Sequence, residues 1–193
     1  MRYYIDTEFL EGTQKENFPI SLFRKNTHPT IDLISVGIIA GDGREYYAIS
    51  KDFNLKEAWN RHDGYKTYTN LPGDTGTNKR KNYWVRENVL HNLHYDLLQI
   101  ERPFKKTFEQ WKEDTCKGFY KGRKNYKSLK RLLSKYGKTN KQIAEEIKDF
   151  VLKGCEVSDK IYYWGKTIEP KFYAYGQENC FVFINFMKNY GSL

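Results

Sequence analysis

Apolar positions along the chain follow two rhythms, and each predicts a different element. Arg2 to Ile5 reads as a buried strand. Residues 11–30 are polar, with Pro19 and Pro29, and read as a long excursion between elements. The run Ile31-Asp32-Leu33-Ile34-Ser35-Val36-Gly37-Ile38-Ile39-Ala40 is mostly apolar, which predicts a strand covered on both faces. Gly41-Asp42-Gly43 follows as a tight turn, and Glu45 to Ile49 returns as its hairpin partner. Leu55 to Asn60 predicts a short helix, and residues 62–82, rich in Gly, Thr, Asn and Lys, a mobile loop. A helix is expected from about Tyr83 to Ile100. The clearest helix follows Gly137: Thr139 and Gln142 form a capping box, and Ile143, Ile147, Phe150 and Val151 recur on one face. Phe172 to Tyr175 predicts a short strand, and Glu178 to Tyr190 an amphipathic helix. The order β-β-β-α-α-β-α predicts an α/β fold, a sheet covered by helices. Residues 1–193 are read as one domain, with loop insertions near 11–30 and 62–82.

Composition sharpens this picture in two ways. Aromatic residues make up 17% of the chain against 39% for all hydrophobic residues, so Tyr, Phe and Trp must supply much of the core. The net charge is +9, and nine of the 33 basic residues lie between Lys117 and Lys138, where there is no Asp or Glu. That segment alone carries the excess, and it interleaves the cations with Phe119, Tyr120, Tyr126 and Tyr136. Phosphate contact and base stacking use these residue types together, so a nucleic acid is the first partner to consider. The same segment also reads as an ordinary helix docked through Leu129, Leu132 and Leu133, with a basic outer face. No apolar run approaches the ~20 residues that span a bilayer, and no signal-peptide pattern opens the chain. Cys116, Cys155 and Cys180 are far apart, without metal-type spacing, which predicts reduced thiols in a cytoplasmic protein.

The sharpest chemical signal is Asp6-Thr7-Glu8-Phe9 at the end of the first strand. Residues two apart on a strand face the same side, so Asp6 and Glu8 can converge on one cation. Hard oxygen ligands suit Mg²⁺ or Mn²⁺. Two such ions roughly 3.5–4 Å apart can activate water and stabilise the leaving oxygen in phosphodiester hydrolysis. By itself the pair also reads as two solvated acids at a strand end.

Tyr3-Tyr4-Ile5-Asp6-Thr7-Glu8-Phe9-Leu10-Glu11, Ile31 to Ile38 and Asp42 to Ala48 together resemble the Rv2179c-like 3′–5′ exoribonucleases, of the ribonuclease T-type branch of the Asp-Glu-Asp-Asp exonucleases. Trp84-Val85-Arg86-Glu87-Asn88-Val89-Leu90 and Lys171-Phe172-Tyr173-Ala174-Tyr175 are similar to that family too. The resemblance covers about residues 1–60, 83–100 and 126–183. It implies an RNase H-like mixed sheet with flanking helices, two divalent metals (Mg or Mn), and removal of nucleotides from single-stranded 3′ ends of RNA or DNA. Asp6 and Glu8 fall on the family's first metal-binding motif. Thr7 and Phe9 fall beside them as expected substrate contacts, and Phe9 reads equally as core. Arg123, Lys124, Lys127, Lys130 and Arg131 are the expected guides of the phosphate backbone.

The chain departs from the family's pattern at two places. Read without gaps from Tyr173 to Val182, the second-motif Asp falls on Cys180, a poor Mg²⁺ ligand, with Glu178 two residues earlier. The third motif, His-x-x-x-x-Asp, belongs beyond Leu193, so the fold is expected to be C-terminally incomplete. The missing helix would leave an apolar face that predicts poor solubility or a homodimer. His91-Asn92-Leu93-His94-Tyr95-Asp96 matches the third motif in spacing only. Residues five apart on a helix lie about 140° from each other, so it is read as coincidence on a solvated helix face. Three readings stay open: a working exoribonuclease, a degenerate non-catalytic nucleic-acid-binding relative or truncated gene product, and a module that keeps only the fold.

Overall fold

The computed structural model describes residues 1–13, 30–68, 78–116, 122–159, 171–174 and 176–191. Along the chain run β1 (Arg2–Gly12), β2 (Thr30–Ala40), β3 (Glu45–Ile49), α1 (Leu55–Asn60), β4 (Tyr65–Tyr68) and β5 (Asn78–Lys81). A π-helical turn (Val85–Leu90) then continues into α2 (His91–Glu101), and α3 (Phe108–Cys116), α4 (Arg123–Tyr136), α5 (Asn140–Asp159), β6 (Lys171–Ala174) and α6 (Gly176–Tyr190) complete the chain. The fold is mixed α/β. These elements fall into two compact units, one built from the first strands and the region after Tyr136, the other from residues 54–135. None of the helices among the described residues is long and apolar enough to cross a membrane.

The first unit is built on a four-stranded sheet in the order β3-β2-β1-β6. β1 pairs antiparallel with β2 and parallel with β6. Its burial alternates because strand side chains alternate: Tyr3, Ile5 and Thr7 are buried, while Tyr4 and Asp6 are exposed and Glu8 half-buried. The buried side packs on α5 and α6 through Ile143, Ile147, Val151, Val182, Phe183 and Phe186. Tyr3 is fully buried, and its hydroxyl finds the partner that burial demands by donating to the Val151 carbonyl at 3.0 Å. The register slips between Glu8 and Phe9, which pair with Ser35 and Leu33 and leave Ile34 as the extra residue of a bulge. Past the slip Leu10, rather than a residue of the odd-numbered series, is buried.

The expected hairpin forms between β2 and β3, with Gly43 at φ +85° in its turn, a conformation that favours glycine. β2 is not covered on both faces along its whole length: Ile39 is 52% exposed, because the far face of the sheet is open there. At α5, Gln142 Oε1 accepts from the Thr139 N–H at 2.9 Å while Thr139 Oγ1 accepts from the Gln142 N–H at 3.2 Å, the reciprocal pair that the sequence pattern predicts.

The second unit corrects two expectations. Where a loop was expected at 62–82, β4 and β5 form an antiparallel hairpin. The aromatic and β-branched side chains of Tyr65, Thr67 and Tyr68 favour extended backbone even though neither strand buries an apolar face. Residues 69–77, and residues 14–29 of the other expected excursion, lie outside the described residues. His91 and His94 do not lie on a solvated helix face: both are buried, packed against Trp111 of α3 at 4.8 and 5.5 Å between ring centroids. The aromatic residues of α3 supply the cover that the spacing within α2 could not reveal.

Candidate active site

Asp6 and Glu8 stand on one face of β1, as their spacing requires, at the end of the strand nearest the bulge. Glu8 is half-buried, and burial pushes its carboxyl above the usual carboxylate range; the negative charge of Asp6 pushes it further the same way. Two carboxylates that raise each other's proton affinity form a site with surplus negative charge. Asp6 also borders an open groove of about 530 Å³, lined by Tyr4, Ile39, Tyr47 and Tyr173. Tyr4 and Tyr173 stack there across the β1–β6 pair, with centroids 5.6 Å apart.

Thr7 points to the opposite side. It is 5% exposed, and its hydroxyl and backbone N–H both donate to Asn179 Oδ1, at 2.5 and 3.1 Å. The Asn179 amide nitrogen in turn donates to Asp6 Oδ1 at 3.4 Å. Thr7 is thus committed to anchoring α6, while Asn179 connects the helix to an acid of the pair. The topology explains this link: β6 runs parallel to β1, so the chain leaving β6 enters α6 beside the carboxyl end of β1, where open α/β sheets place their sites. Sequence reading missed Asn179. The available signal was its place in the short segment after the expected strand 172–175, between Glu178 and Cys180, where a second ligand was sought. Glu178 and Cys180 both lie in α6, and their side chains are outside the described residues.

Phe9 is half-buried and packs against the core of the first unit. Arg123, Lys124, Lys127 and Lys130 are exposed along α4, in the second unit, with Leu129, Leu132 and Leu133 buried on the helix's other face. Arg131 differs from them: both its terminal nitrogens donate to Glu101 of α2, at 2.6 Å each, and Lys135 reaches the same carboxylate at 3.4 Å. Tyr126 lies edge-on to Trp59, centroids 5.3 Å apart. Phe119 and Tyr120 lie outside the described residues. The imidazoles of His91 and His94 are both pushed down to about 4, chiefly by burial. Burial also raises the Asp96 carboxyl. All three belong to the second unit and Asp6 and Glu8 to the first. Among the described residues, no group of three or more His, Cys, Asp or Glu is placed to hold a metal ion.

No known family model matches the chain. Over 58 residues it is 43% identical to the 3′–5′ exoribonuclease Rv2179c of Mycobacterium tuberculosis, and equally to the 3′–5′ exoribonuclease MT2234.1 of another strain of that species. The match takes in 30% of this chain and spans 26% of the length of each of these relatives. Through that stretch the chain is related to the Rv2179c-like 3′–5′ exoribonucleases.

Proposed function

We propose that the chain is a divalent-metal-dependent 3′–5′ exoribonuclease of RNase H-like architecture, acting on single-stranded 3′ ends. The carrying observation is the convergence of Asp6 and Glu8 on one face at the carboxyl end of β1, with Glu8 raised by its neighbour's charge. The names of the matched relatives and the mixed sheet support the same reading. Asp6 and Glu8 fit a hard cation: both are oxygen donors, and their mutual repulsion is what a bound cation relieves. They would hold Mg²⁺ or Mn²⁺, which supplies an activated water and charge stabilisation for phosphodiester hydrolysis when bound. Asn179 orients the Asp6 carboxylate and leaves its charge in place. Arg123, Lys124, Lys127 and Lys130 draw the phosphate backbone of single-stranded RNA, or of DNA, toward the protein.

One observation favours a second reading, a non-catalytic nucleic-acid-binding relative: among the described residues no third acid or histidine joins Asp6 and Glu8. Incubation with 5′-labelled single-stranded RNA and Mn²⁺ separates the two. The exonuclease reading predicts products shortened stepwise from the 3′ end, and their loss with chelator and in Asp6→Ala. Intact RNA that is nevertheless bound in a salt-sensitive way supports the second reading.

A further inference from the structure

A second site lies in the unit formed by residues 54–135. Between the end of α2 and α3 there is a pocket of about 630 Å³, within the ~300–1,000 Å³ typical of small-ligand sites. Its apolar wall is Leu98, Pro103, Phe104 and Trp111, and its charged rim comes from residues 101–106. The rim's cations are not equally engaged. Lys106 is paired with Asp114, and the rim's one acid, Glu101, is held by Arg131 and Lys135. Arg102 and Lys105 remain, exposed and without an ion pair among the described residues. The pocket therefore offers an aromatic wall beside two cations whose charge nothing nearby cancels.

The loop that carries those cations is fixed in place. The Gln99 side chain donates to the Phe104 carbonyl at 3.1 Å and accepts from the Phe104 N–H at 3.0 Å, and the Tyr95 hydroxyl donates to the Lys106 carbonyl at 2.8 Å. Phe104 in turn meets the Tyr95 ring edge-on, centroids 5.5 Å apart. A surface loop with three side-chain bonds to its backbone is preorganised, as a binding site requires. The C-terminal end of α2 contributes a partial negative charge here, but that effect is confined to the helix's last turn and two whole cations oppose it.

We propose that this pocket binds one nucleotide unit of a single-stranded nucleic acid, the base against Phe104 and Trp111 and the phosphate held by Arg102 and Lys105. The inference rests on the reading that the chain handles nucleic acid, and it does not require the chain to cut. A base has a π-face that any aromatic wall accepts, and its phosphate needs the unneutralised cations.

The test is anisotropy of a short fluorescent single-stranded RNA with the full chain in chelator. Arg102→Ser with Lys105→Ser should weaken binding roughly tenfold at low salt and flatten the slope of log K against log salt by about 1.4, or about 0.7 per lost phosphate contact. Gln99→Leu, which keeps both cations but frees the loop, should weaken binding with little change of slope. Adenosine monophosphate should compete, and inorganic phosphate at the same concentration should not. Equal binding by the double variant, or displacement by phosphate or by a polyglutamate peptide as efficient as by the nucleotide, overturns the proposal. Cleavage is scored separately with Mn²⁺. A chain that binds through this pocket and never cuts removes only the exonuclease reading. One that cuts while the double variant binds unchanged removes only this inference.

Discussion

Asn179, in the first turns of α6, donates a hydrogen bond to Asp6 on β1 at 3.4 Å, joining residues 173 positions apart. The same amide accepts from the hydroxyl and backbone N–H of Thr7. One side chain therefore fixes how the helix meets the strand and how an acid of the candidate site is aimed.

That arrangement predicts the behaviour of two variants. Asn179→Ala leaves the buried N–H and hydroxyl of Thr7 without their shared acceptor and should cost about 1–3 kcal/mol, read as a lower urea midpoint with an unchanged m-value. Asn179→Asp keeps an acceptor for Thr7 but puts a third negative charge beside Asp6. It should be less stable than wild type in chelator, with the deficit narrowing as Mn²⁺ is added.

Glu8 gives a pH signature of opposite sign to an ordinary salt-bridged acid. Its folded pKa is raised, so the folded chain holds that proton more tightly than the unfolded chain does. The stability it contributes is present below the model carboxylate value of 4.5 and is lost as pH rises through the folded pKa. At neutral pH, Glu8→Gln should therefore raise stability, by less than about 1 kcal/mol for this half-exposed pair. It should also abolish any rise in melting temperature with Mn²⁺. Thermal unfolding with and without the ion reads both effects.

His91 and His94 make the protein acid-sensitive. Their folded pKa values of about 4 lie below the ordinary 6.5, so the unfolded chain takes up protons first as pH falls. Stability is unaffected above about 6.5 and declines between there and about 4. Linkage puts the loss near pH 5 at about 2 kcal/mol per imidazole. Urea unfolding at pH 7.5 and 5 should show it, and His91→Leu should remove a large part of the difference.

Glu101 tests the basic face of α4. The hydrogen bonds from Arg131 hold its carboxyl down at about 2, so it is an anion at any working pH. Glu101→Gln removes the charge that Arg131 and Lys135 share. If α4 meets RNA, single-strand affinity should rise severalfold and the salt slope steepen by about 0.7 for each cation transferred to a phosphate. An unchanged slope would mean that α4 is only a solvated helix face.

Much of the first unit was legible because its signals are local. The alternation at Tyr3, Ile5 and Thr7 and the reciprocal bonds of Thr139 and Gln142 depend only on neighbouring residues. Asp6 and Glu8 share a face for the same reason. The β4–β5 hairpin escaped notice because neither strand buries an apolar face, which removes the period-2 signal. His91 and His94 were misread because the aromatic cover comes from α3, seventeen or more residues away in sequence. Asn179 was invisible because its partners are brought to it by the parallel pairing of β6 with β1, and Arg131 gave no sign that Glu101 would occupy it.

The most direct test of the central claim compares one RNA sequence in linear and circular form, with Mn²⁺ present, for wild type and Asp6→Asn. The account predicts that wild type degrades the linear strand from its 3′ end and spares the circle, while Asp6→Asn, which retains a similar shape but not the charge, spares both. Cleavage of the circle, or equal degradation by the variant, would contradict a 3′–5′ exonuclease centred on Asp6 and Glu8.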